Sequence, residues 1–143
     1  MVWEYNFFDH TADIAVDVEA DTLDELFIAS ASAWRDCISD DRKSFQSQER
    51  SLILSENSLE ILLVTFLSEL NYLYQSESWM MDSIQCIEIN KEGDIWKLSI
   101  KILGGNFNRN DMKLKSEIKA ITYHQMEIKE ENGKFTTRIV FDI

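Results

Sequence analysis

The chain has 143 residues, 45% of them hydrophobic, and carries 26 acidic against 14 basic side chains for a net charge of −12. That length and apolar content suit one compact domain over residues 1–143 and exclude a disordered chain. With no Lys/Arg block in an acidic chain, a phosphate-neutralising face is excluded and no direct nucleic-acid binding is expected; the charge suits a basic partner, or serves solubility alone.

In chain order, Val2 to Phe8 is aromatic and loosely alternating, a first strand. Asp9 to Ala12 reads as a turn. Ile14, Val16 and Val18 alternate with Ala15, Asp17 and Glu19, giving a half-buried second strand. Thr22-Leu23-Asp24-Glu25 has the spacing of a capping box, and Leu23, Leu26, Phe27, Ser30, Ala33, Trp34 and Cys37 continue at helical spacing to about Ser39. Asp40 to Arg50 is polar, a loop or frayed strand, and Ser51 to Leu54 a short strand. Asn57 or Ser58 can cap a second helix, whose stripe runs through Leu59, Leu62, Leu63, Phe66, Leu67, Leu70 and Tyr74. Strands are expected at Ser83–Asn90, Ile95–Leu103, Ile118–Lys129 and Thr136–Ile143, with breaks at Glu92-Gly93 and Gly104-Gly105-Asn106. The pattern is that of an α+β domain with two amphipathic helices packed on antiparallel-rich sheet. No run approaches the roughly 20 apolar residues of a membrane span.

Asn132-Gly133 is a strong type I′ hairpin signal. With those two residues as the loop, Ile128 faces Thr137, Met126 faces Ile139 and His124 faces Phe141 on one face. On the other face Glu127 meets Arg138 as an opposite-charge pair, and Tyr123 meets Asp142. Lys119 then shares a surface with Asp142 without pairing with it, roughly 13 Å along the strand from Tyr123 at about 3.3 Å per residue.

The familiar catalytic signatures are missing. There is no CxxC, HExxH, GxSxG or Walker-type loop, Gly104-Gly105 is too short to mean phosphate binding, and two histidines leave no His-rich metal site. Cys37 and Cys86 both fall in hydrophobic-patterned segments and read as buried free thiols. With the start Met1-Val2-Trp3-Glu4, which lacks a signal-peptide pattern, they imply a cytoplasmic protein. What stands out is a pair of aspartates near the two ends: Asp13, in Phe8-Asp9-His10-Thr11-Ala12-Asp13-Ile14, and Asp142, beside the last residue Ile143. Brought together, Asp13, Asp142 and the terminal carboxylate would repel strongly unless a cation sat among them or one took a proton, and all-oxygen anionic sites suit hard divalent ions. Asp9 and Asp13 are equally readable as ordinary turn residues, and His10 as a side chain that ties the turn together. His124 reads as a packed strand residue.

Asp9-His10-Thr11-Ala12-Asp13-Ile14, the Leu67-Ser68-Glu69-Leu70-Asn71-Tyr72-Leu73 segment, Ile118-Lys119-Ala120-Ile121-Thr122-Tyr123-His124 and the closing Val140-Phe141-Asp142-Ile143 resemble the archease family in order and spacing, over essentially the whole chain. The resemblance implies a compact α+β domain that is not an enzyme in its own right. It implies a protein cofactor of the RtcB-type RNA ligase, which joins tRNA halves after intron removal; the cofactor promotes guanylylation with GTP and multiple turnover. The ligase is then the partner, with tRNA met only through it. The resemblance also implies a divalent cation, calcium in the family with magnesium or manganese as alternatives, held by Asp13, Asp142 and Ile143. It further implies a functional role for Lys119; His10 is a further functional candidate from its place in the polar turn beside Asp13. Two positions depart from the family pattern: Asn106 stands where an acidic residue is usual and Met112 where a histidine is usual.

Two other classes fit the same residues. One is a chaperone or specificity modulator of an RNA-modifying enzyme such as a tRNA methyltransferase, a role also attached to the family. The other is a small metal-dependent phosphohydrolase built on the same carboxylates, for which His10 is the only evident general base.

Overall fold

The computed structural model describes residues 2–9, 13–41, 48–123 and 126–143. Its element order is β1 (Trp3–Asp9), β2 (Asp13–Ala20), α1 (Leu23–Ile38), β3 (Gln48–Glu56), α2 (Leu59–Glu77), β4 (Trp79–Glu92), β5 (Ile95–Asn106), β6 (Ala120–Thr122), β7 (Lys129–Glu131) and β8 (Lys134–Asp142). One sheet runs β1-β2-β8-β6, with β7 also paired to β8, and the other runs β3-β5-β4. Every ladder is antiparallel. The architecture is α+β, with the helices between the sheets: α1 packs on β1, β2, β8 and β4, and α2 on β3, β4, β5 and β6.

The helix starts follow from their caps. The Thr22 side chain accepts from the Glu25 amide at 3.1 Å and Ser58, rather than Asn57, accepts from the Ile61 amide at 3.0 Å. Each satisfies one of the orphan amides of a first turn. The helices are less amphipathic than their stripes suggest. Leu62, Leu63, Val64, Phe66 and Leu67 of α2 are all buried, as are Leu26, Phe27, Ala29, Ser30 and Ala31 of α1. A helix clasped between two sheets must be apolar over more than one face. Phe27 and Phe66 stack across the helix pair with centroids 6.0 Å apart. A buried side chain of that size contributes about 1.5–3 kcal/mol.

Three expectations are corrected. β5 runs through Gly104-Gly105 instead of breaking there, because β4 passes against it: a Cβ on Gly104 would run into the Met80 carbonyl oxygen and the Trp79 ring. β4 begins at Trp79, and two register shifts, between Met81 and Ser83 and between Ile84 and Cys86, rotate the alternation so that Cys86 is exposed; Cys37 is buried and neither cysteine is in a disulfide.

The third correction concerns the closing hairpin. Asn132 and Gly133 both take positive φ, 53° and 77°, and the expected register holds beside them, Glu131 opposite Lys134 through Lys129 opposite Thr136. It does not extend to the far end. There Thr122 faces Val140, Ile121 faces Phe141 and Ala120, not Tyr123, faces Asp142. The intervening chain leaves the ladder because other partners take its groups. The Met126 amide turns back on the Tyr123 carbonyl, and Glu60 of α2 accepts from the Ile128 amide. Arg138 forks onto Asp17 at 2.6 and 2.9 Å rather than onto the expected Glu127.

Candidate metal centre and the edge that holds it

Asp13 opens β2 and Asp142 closes β8, and the β2–β8 register sets them directly opposite each other. Paired residues across an antiparallel ladder carry their Cβ atoms about 4.5–5.5 Å apart on one face, where like charges oppose stability. That face is the solvent side of the first sheet. In alternation it also carries Phe8, Asn6 and Glu4 of β1, Asp17 and Glu19 of β2, and Arg138 and Thr136 of β8. Arg138 lies 5.0 Å over the Phe8 ring while it forks onto Asp17, a contact that holds its guanidinium above its usual pKa. Beyond this ion pair a groove of about 440 Å³ opens, lined in part by Glu4, Asn6, Glu19 and Glu127.

The two carboxylates differ in setting. Asp142 is exposed and Ile143 half-buried. One oxygen of Asp13, Oδ1, is buried with no hydrogen-bond partner among the described residues. A carboxylate oxygen withdrawn from water without a donor is costly, and a bound cation is one group that would satisfy it. Two carboxylates with a backbone oxygen of Ile143 would make an oxygen-only donor set, the kind that calcium, magnesium and manganese prefer. The residues therefore fit a hard divalent ion. Among the described residues no three His, Cys, Asp or Glu side chains converge. His10, with Thr11 and Ala12, lies outside the described residues, as does His124.

Lys119 is closer to Asp142 than the hairpin reading allowed. The slip of register sets Ala120 opposite Asp142, and the Lys119 amide donates to the Asp142 carbonyl at 2.7 Å. Its side chain is exposed, but the odd slip overturns the expected shared surface: Ala120, not Lys119, stands on the face of Asp142. The two positions that depart from the family pattern have structural work in this chain. Asn106 donates to the Glu77 and Ser78 carbonyls at 3.1 and 3.5 Å, where α2 ends with Ser78 at φ 51°, and Met112 is buried in the core.

Sequence reasoning missed the residues that hold this edge from within. Asn71 and Gln75 of α2 both donate to the Ile118 carbonyl, immediately before Lys119. The available signal was an amide on the apolar stripe, one turn beyond Leu67.

A model of the Archease protein family matches residues 5–143. The chain belongs to the archease family. It is 35% identical over 142 residues to the protein archease of Pyrococcus furiosus, covering 99% of this chain and 98% of that one. To the protein archease of Methanosarcina barkeri it is 31% identical over 140 residues, covering 98% and 96%. The solution structure of protein 1598 of Methanobacterium thermoautotrophicum superposes with a TM-score of 0.81 at 25% identity, covering 97% of this chain and 98% of that one. The crystal structure of a Thermotoga maritima archease, described as a possible chaperone, shares the fold with a TM-score of 0.59 at 22% identity over 95% and 94% of the chains. Among the described residues no helix is long and apolar enough to cross a membrane.

Proposed function

We propose that this archease-family chain is a metal-binding protein cofactor of an RtcB-type RNA ligase in tRNA splicing, promoting the ligase's guanylylation and multiple turnover. The observation that carries the reading is the Asp13–Asp142 pair, set opposite each other with a buried, unpartnered Asp13 oxygen. Asp13, Asp142 and Ile143 would hold the divalent ion, with calcium first and magnesium or manganese as alternatives. When bound, such an ion neutralises the pair and offers Lewis-acid contact to a phosphate oxygen. The chain's own residues do the rest. Asp13 and Asp142 fix the end of β8 against the start of β2. Lys119, exposed and joined to Asp142 through its backbone amide, offers an ammonium to a phosphate or to a ligase carboxylate. The acidic body, at −12, favours encounter with a basic nucleotide-handling cleft, and tRNA is met through the ligase.

The test is ligation of cleaved RNA by limiting purified ligase with GTP, with and without this protein. The wild type should raise turnover, and Asp142→Ala should abolish the stimulation while its circular dichroism stays native. Undiminished stimulation by Asp142→Ala would take the ion out of the mechanism. A second reading, a chaperone or modulator of an RNA-modifying enzyme, is favoured by the description of the Thermotoga maritima relative. Co-purification separates the two: a ligase partner supports the first and a tRNA methyltransferase the second.

A further inference from the structure

The residues 113–119 carry no sheet ladder, yet they deliver Lys119 and its amide to the end of β8. Their first half is tied to the end of α1, where the Lys115 amide donates to the Ile38 carbonyl at 2.7 Å; what fixes their second half, at Ile118, is in the core. The Ile118 carbonyl accepts from Asn71 Nδ2 at 2.9 Å and from Gln75 Nε2 at 2.6 Å. The other end of the Asn71 carboxamide, Oδ1, accepts from the Trp34 indole at 3.0 Å. Asn71 is 5% exposed and Trp34 and Ile118 are fully buried. A carboxamide engaged at both ends in a dry site cannot turn without leaving a buried group unsatisfied. The bonds therefore run without a gap from α1 through α2 to Ile118, and from Lys119 to Asp142.

We propose that Asn71 is a positioning residue for the carboxylate pair. Through Ile118 and Lys119 it fixes, from inside the core, where Asp142 stands relative to Asp13, with Gln75 as the second donor. The consequence for the ion rests on the metal reading above; the positioning itself rests on the hydrogen bonds. Hydrogen bonds of this indirect kind orient the ligands of a site, and their loss typically lowers metal affinity about 10–100-fold.

Two variants test it. Asn71→Leu keeps bulk and removes both bonds. Gln75→Glu acts from an exposed position, turns a donor into an acceptor facing the Ile118 carbonyl, and keeps the test open if Asn71→Leu fails to fold. Amide hydrogen exchange of the metal-free proteins should show Lys119 exchanging about tenfold faster in either variant, with the amides of β3 and β5 unchanged. Calorimetric titration with calcium chloride should show about tenfold weaker binding by Gln75→Glu at an unchanged melting temperature. A merely structural role would move the melting temperature and leave the calcium affinity of the folded protein alone. Wild-type protection at Lys119 in the folded variants overturns the proposal, and so does unchanged affinity where the wild type binds calcium. If the wild type takes up no calcium, magnesium or manganese, the metal reading falls, and the exchange measurement alone decides the positioning role.

Discussion

Two cross-strand pairs on one sheet face carry like charges, and their settings differ. Glu4 faces Glu19 between β1 and β2, and Asp13 faces Asp142 between β2 and β8. The glutamates line an open groove, with Glu4 exposed, and water screens them. The aspartates sit where one oxygen is cut off from water and donors, and where the Lys119 amide pins the opposite strand. Repulsion between neighbouring carboxylates is tolerated on a surface at a cost of about 0.2–1 kcal/mol. It becomes the makings of a cation site only when water is withdrawn and the backbone cannot spread.

The strongest way to break this contrast is by calcium titration calorimetry of two variants. Asp13→Ala should lose measurable binding, whereas Glu19→Ala should bind as the wild type does; equal losses would mean that the two pairs are equivalent. Next, Trp34→Phe strips the donor from Asn71 Oδ1 and leaves a buried acceptor unsatisfied. Denaturant unfolding should show a loss of about 1–3 kcal/mol. At the groove, Glu4→Gln should instead stabilise the protein by about 0.2–1 kcal/mol, and the gain should shrink as salt is added.

The smallest effect belongs to a third acidic group, at the start of α1. Burial, then the neighbouring Glu88 and Glu25, hold the Asp24 carboxyl above its ordinary value of 3.8. An acid that binds its proton more tightly in the fold adds stability below its unfolded value, and that stability is lost as pH rises through the folded value. Glu88→Gln removes one of the opposing charges and lessens the loss. Its melting temperature should be slightly above wild type at neutral pH and equal to it near about pH 3, where the Asp24 carboxyl is protonated and no repulsion is left to relieve.

The helices were legible in the sequence because their signals are local: Thr22 and Ser58 at the starts, apolar side chains at helical spacing behind them. The Asn132-Gly133 turn was legible for the same reason, since both residues must take positive φ. The register beyond it was not. It depends on Glu60, far away in the chain, capturing the Ile128 amide, and no neighbour of Ile128 announces that. The site divides in the same way. The alternation of β2 and the motifs at Asp13 and Asp142 pointed to the pair that the sheet assembles. Asn71 stayed hidden, since its place on the apolar stripe of α2 marks an inward-facing amide but not the carbonyl of another segment that it meets.

β8 is the central strand of the first sheet, and it arrives more than a hundred residues after the β2 strand that it joins. The β3-β5-β4 sheet draws on a much shorter stretch of chain, so its loops close first. High contact order slows folding, and here it concentrates in one sheet. During synthesis β1 and β2 stay half-paired, their edge open to wrong partners, until β8 has cleared the ribosome.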